Sequence, residues 1–239
     1  MEYDYVTKVA DCSPSVRAEF YRRTYSLVAL SCAGFGAVLA LILSSDALCE
    51  WITRLFWGTG FLGILLIMAG FWAASALSTR LAFGGATRSA QLAGLGIYIL
   101  LEAFLFTPLL TVCFALFGVE EALSTIVVPA AVSTFLLAGG LMATVFMSKR
   151  DFSFLRSFVV VGSFVALAAI VVLAIAGAGV PAWFIIAMIA LMAGTILYET
   201  WAIRTQFSSN QYVGAALLIF SSVITLFYYM ILLFLKRRE

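Results

Sequence analysis

An all-α, multi-pass membrane protein with seven transmembrane helices is the fold class this sequence predicts, and three observations carry it. Of its 239 residues, 64% are hydrophobic and only 11% are charged. A soluble domain has roughly 45–50% apolar and about 25% charged residues, so a water-soluble fold of this length cannot hide so much apolar surface. The apolar residues also gather into seven runs, each near the about 20 residues that a helix needs to cross hydrocarbon. The connections between runs are short and leave no room for a soluble domain. The lipid bilayer is therefore the first partner, and a net charge of +2 gives no reason to expect nucleic acid.

In chain order, residues 1–23 come first and hold Glu2, Asp4, Lys8, Asp11, Arg17, Glu19, Arg22 and Arg23. They are too polar for a secretory signal peptide, so the first apolar run is expected to stay as an anchor. Ser13 and Pro14 read as an N-cap followed by proline at the first helical position. The spans are then read at 24–43, 55–77, 92–117, 126–147, 158–176, 182–201 and 213–235. One membrane domain runs from 24 to 235, and residues 236–239 form a basic tail. Glycines punctuate the spans, among them Gly34, Gly36, Gly94, Gly96, Gly139 and Gly140, and are expected at close helix contacts. Trp51, Trp57 and Trp183 fall at outer ends, where aromatic belts form. Pro108 and Pro129 are expected to kink their helices.

Lys and Arg set orientation. With the N-terminus in the cytoplasm, the inner segments hold Arg23, Arg80, Arg88, Lys149, Arg150 and Arg204, among others, as topology anchors. The outer connections hold only Arg54, and one carries Glu120 and Glu121 instead. The tail breaks the pattern, because seven spans put Lys236, Arg237 and Arg238 outside. Seven full crossings are favoured over a last segment, with Ser221, Ser222 and Thr225, that dips in and returns.

The chain has no histidine, which removes Ser-His intramembrane proteases and HExxH metalloproteases. No aspartate lies in a span, so a two-aspartate protease is excluded. No lysine lies in an apolar core to form a Schiff base. Cys12, Cys32, Cys49 and Cys113 have no metal-site spacing, and no cofactor or disulfide framework is expected. A transporter, a channel or a regulatory membrane protein is left, rather than an enzyme.

Two carboxylates do lie in spans, Glu102 and Glu199. The midpoint between residues 199 and 222 falls between Asn210 and Gln211, in the polar turn SSNQ. Antiparallel neighbours joined there bring Glu199 level with Ser222, about 17 Å from the turn at 1.5 Å per residue. Glu102, eleven residues past Gln91, comes to about 16 Å by the same rise. Intramembrane carboxylates are functional by default; the alternative is that each bonds a neighbouring helix as structural glue. Shared depth raises the possibility that Glu102 and Glu199 form an acid pair.

Several stretches together resemble the Bax inhibitor 1 family (transmembrane Bax inhibitor motif proteins), in particular its bacterial YccA-like branch. They are RTYSLVAL at 23–30, KRDFSFL at 149–155, GTILYET at 194–200, NQYVGAAL at 210–217 and Leu226-Phe227. The resemblance covers about residues 17 to 235. It implies a last helix that is central and surrounded by the other six, and a bacterial inner-membrane location with a cytoplasmic N-terminus. Some family members carry two aspartates, on the sixth and seventh helices, that share a proton and gate a calcium leak. The motifs place the first on Glu199, which keeps the carboxylate, and the second on Ser222, which loses it. The resemblance implies a pH-sensitive calcium or proton leak centred on Glu199 with Ser222; Glu102, on its depth alone, and Ser221 are further candidates for that path. The alternative it implies is a regulator that binds the membrane AAA protease FtsH through the N-terminal segment, without transport.

Overall fold

The Ser13 hydroxyl accepts a hydrogen bond from the Val16 amide at 3.5 Å, and with Pro14 behind it α1 (Pro14–Leu43) begins. Residues 14–23, read from sequence as part of a polar segment, are therefore already helical. The computed structural model describes residues 7–84, 87–148, 150–177 and 179–238. Lys149 lies outside them. The remaining helices are α2 (Asp46–Trp57), α3 (Gly60–Gly84), α4 (Arg88–Phe117), α5 (Val119–Ala122), α6 (Val128–Met147), α7 (Leu155–Ile175), α8 (Ala182–Thr205) and α9 (Tyr212–Lys236). Among the described residues, seven helices are long and apolar enough to span a membrane. They match the seven runs read from sequence in number and order.

The second run differs in detail. Residues 55–57 belong to α2, a separate helix capped by the Ser45 hydroxyl and closed before the turn at Gly60. Its Ile52 is buried, while Leu48, Trp51 and Trp57 are exposed beside the Glu50–Arg54 ion pair. A short helix with exposed tryptophans beside an ion pair suits the membrane interface, and the span itself is carried by α3 from Gly60. Trp183, at the start of α8, also projects outward. The fourth span is continuous from Val119 to Met147 through a π-helical turn at Leu123–Val127, which Pro129 follows in the first turn of α6. Pro108 sits buried inside α4 without ending it.

Each end of the bundle is tied together. On the N-terminal face, Val9 N donates to Phe207 O at 2.8 Å and Ser209 N to Thr7 O at 3.3 Å. Arg88 Nη1 donates to Asn210 O at 3.2 Å. The Arg204 Nη1 donates to Val145 O and Ser148 O, satisfying carbonyls that the end of α6 leaves open. On the opposite face, Arg238 stands 3.2 Å from Glu121. An exposed pair of this kind adds little stability, but it puts the basic tail beside the acidic α4–α6 connection. Since α9 is unbroken over 25 residues, about 37 Å at 1.5 Å per residue, it crosses and does not return.

More than half of the apolar window of α9 is buried, a larger share than in any other span. It packs on α1, α3, α4, α6 and α8, whereas α7 packs on α8. Two glycines make close approaches possible. A Cβ on Gly214 would stand 2.7 Å from the Phe83 ring, and one on Gly94 would stand 2.7 Å from the Ser78 carbonyl and 3.0 Å from the Ala82 amide. Gly36, Gly96, Gly139 and Gly140 have nothing within 4 Å, so the expected close packing does not apply to them.

Two outcomes follow. Gly94→Ala should lower the melting temperature in detergent, because overpacking against backbone costs about 1–3 kcal/mol and alanine returns only about 1 kcal/mol of helix propensity. In a background with Cys12→Ser and Cys49→Ser, an impermeant thiol reagent should reach Glu120→Cys and Arg237→Cys from one side and Lys8→Cys from the other. Labelling of Lys8→Cys and Arg237→Cys from the same side contradicts this packing.

Candidate functional site

Glu199 lies six residues before the end of α8 at Thr205, and Ser222 ten residues after the start of α9 at Tyr212. These offsets are about 9 and 15 Å along the two helices. The turn between the helices absorbs the difference. Its Gln211 side-chain oxygen accepts from Ser208 N, and the N-terminal segment holds it from outside. The level pairing read from the SSNQ turn is what the structure contains: Ser222 Oγ donates to Glu199 Oε2 at 2.7 Å. Ser222 is 5% exposed. Glu199 is half-buried rather than fully enclosed, so the more enclosed acid is Glu102, at 5% exposure.

Glu102 stands at the middle of α4, fourteen residues after Arg88 and about 21 Å along it. It is thus deeper than the offset from Gln91 suggests. No hydrogen bond joins Glu102 to Glu199 among the described residues, and the direct pairing raised by the sequence is not formed. Tyr98, one turn earlier on α4, is interposed. Its hydroxyl lies 2.6 Å from Ser221 Oγ, and Glu102 lies one turn further along the same face of α4. Tyr98 and Ser221 are about 15 and 14 Å along α4 and α9, which makes them level. Two polar lines therefore meet on adjacent residues of α9: Glu102, Tyr98 and Ser221 from α4, and Glu199 with Ser222 from α8. An aromatic wall flanks them, with Tyr98 edge-on to Phe220, and Phe106 packed on Phe35 and Phe227.

Tyr98 is the residue that sequence reasoning missed. The signal for it was present: a tyrosine four residues before a carboxylate shares its helix face. The flanking pair Tyr198 and Trp201, by contrast, pack on each other at 6.0 Å.

The basic anchors are distributed at the ends. Arg88 and Arg23 both stand over the Tyr212 ring, at 4.2 and 5.6 Å, and Arg23 is also paired with Glu19 at 2.6 Å. Arg88 thereby clips the start of α4 to the start of α9, a role beyond topology. Arg80 and Arg150 are exposed. Asp151 of the DFSFL stretch accepts from Ser153 N at 2.7 Å and shapes the turn into α7. Among the described residues, no three His, Cys, Asp or Glu side chains group to hold a metal ion.

Chemically, the arrangement offers one carboxyl group bonded to a hydroxyl, with a second carboxyl one helical turn from a bonded phenol. Ser222→Ala should destabilise the protein by about 1–3 kcal/mol by stripping a partner from the Glu199 carboxyl group. Adding Glu199→Gln should make the two changes less than additive, as read by thermal melting in detergent.

The comparisons bear on the whole chain. Neither a curated protein nor a solved structure matches it. Residues 17–239 match the family model described as Inhibitor of apoptosis-promoting Bax1. That range takes in all but the first turn of α1 and every later span, including both helices that meet at Glu199 and Ser222, so the chain belongs to the Bax inhibitor 1 family.

Proposed function

We propose that this protein is a pH-sensitive leak for cations, protons foremost, whose path passes Glu199. The observation that carries this reading is the 2.7 Å bond between Glu199 and Ser222 in the interior of the bundle. A carboxyl group inside a membrane span is expensive and marks ion or proton pathways. A hydroxyl both donates and accepts, so Ser222 serves Glu199 whether that acid is charged or neutral. Calcium asks for six to eight oxygens and favours carboxylates. Where the resemblance puts a second acid this chain has Ser222, so protons are favoured over calcium.

The regulatory reading, binding to the protease FtsH in a bacterial inner membrane, needs the N-terminal segment as a handle. Thr7 and Val9 are bonded to the α8–α9 turn and Val9 is fully buried. A protease must free this strap before engaging it, and doing so would loosen the turn that sets Glu199 against Ser222. The two readings thereby converge on one element.

The test is flux from liposomes holding the purified full chain, followed with an entrapped pH dye and separately with a calcium dye. The parent should pass protons, with a rate that changes between acid and neutral pH. Glu199→Gln should reduce the flux to that of empty liposomes at every pH. Ser222→Asp, which supplies a second carboxylate, should raise calcium flux relative to proton flux. A Glu199→Gln protein that conducts like the parent defeats the proposal.

A further inference from the structure

The hydroxyl of Tyr98 has no counterpart in the leak as proposed so far, yet it is placed where the two acids can sense each other. It comes from α4, is 8% exposed, and reaches Ser221 of α9 at 2.6 Å. Glu102, four residues on along α4, shares its helix face. The two acids on the helices around it are Glu102 of α4 and Glu199 of α8, the latter bonded to Ser222 beside Ser221. The ring is fixed edge-on to Phe220, so the hydroxyl is held at one height.

We infer that Tyr98 couples Glu102 to Glu199, joining them through Ser221 and Ser222 into one electrostatic unit in place of a direct acid pair. The inference rests on Glu199 as the centre of the path, but the coupling itself is measurable without transport.

The physical device is the direction of a hydrogen bond. A phenol donates one proton and accepts others. With Glu102 ionised, Tyr98 donates to the carboxylate and must accept from Ser221. With Glu102 protonated, the acid can donate to Tyr98, which turns its own proton toward Ser221. The state of Glu102 thus selects the orientation of the Ser221 hydroxyl, next in sequence to the Ser222 that bonds Glu199. No proton leaves any residue in this step; only dipoles reorient. In a low-dielectric interior such dipoles act strongly and polarise one another.

The bland alternative is that the Tyr98–Ser221 bond only fastens α4 to α9. Infrared spectroscopy of the full chain in liposomes separates the two. The Glu199 carboxyl band is first assigned by its loss in Glu199→Gln. Glu102→Gln should then shift that band in the parent background and leave it in place in a Tyr98→Phe background, which keeps the ring and drops the hydroxyl. Should Tyr98→Phe fail to fold, Ser221→Ala breaks the same link from α9. A Glu199 band that Glu102→Gln does not move in the parent overturns the inference. So does a shift that persists without the Tyr98 hydroxyl. Loss of the leak reading shows differently, as unchanged flux in Glu199→Gln, and leaves the band result standing.

Discussion

A carboxyl group in the apolar interior must find a partner, and the pairing of Glu199 with Ser222 constrains how α8 and α9 are joined. The two residues are 23 positions apart, so their meeting depends on the turn at 206–211 holding one register. Much of the N-terminal face serves that turn. Val9 and Thr7 bond its backbone, Arg88 reaches Asn210, and Arg23 and Arg88 close over Tyr212 at the first residue of α9. Gly214 then lets Phe83 come against the next turn of α9. A slip of one residue would rotate Ser222 by about 100° around its helix, and the Glu199 carboxyl group would lose its donor.

The same constraint bears on which helices α9 meets. α9 supplies both hydroxyls, and it is flanked by the helices that bring the acids, α8 and α4. α1, α3 and α6 complete the contact, and α1 also lays Arg23 over Tyr212. α7 stands outermost, against α8, and only 6% of its apolar window is buried. Its side chains, including Val161, Phe164, Val165 and Val172, are exposed on the surface of the fold, which suits a helix whose solvent is lipid. Hydropathy therefore says little about position in this bundle. α7 is the most apolar of the spans and the least enclosed, while α9 is less apolar and the most buried.

Much of this was legible in the sequence. Span number and order follow from runs of apolar residues, and the level of Glu199 against Ser222 follows from simple counting about a short turn. Ser13 before Pro14 marked the true start of α1. What counting could not supply was lateral position. Glu102 and Glu199 gave similar depths from their loops, but helices enter the membrane at different points, and α4 already begins at Arg88. The interfacial helix α2 was merged with a span because Leu55, Phe56 and Trp57 are as apolar as the run that follows. Only the turn at Gly60, with its positive φ, breaks the two apart. The glycines misled for a related reason: Gly94 and Gly96 look alike in sequence, yet adjacent helix positions face different neighbours, and one meets α3 while the other meets nothing.

A serine, rather than a second acid, bonds Glu199 and sets the logic of the site. Two carboxylates in contact cannot both ionise, so they hold one proton between them, and contact alone makes the pair a switch. A carboxyl group and a hydroxyl have no such repulsion, and Ser222 can bond Glu199 in either state. A site built this way needs its bias from elsewhere. In the coupling we infer, that source is a second acid at the centre of α4, acting through a phenol. Separating the acids by a tyrosine weakens their repulsion but keeps its sign. It also makes the coupling depend on helix packing, because Tyr98 and Ser221 are level only while α4 and α9 keep their present register. In such a design the movement of one helix against another, rather than the acids alone, sets how strongly the two charges feel each other.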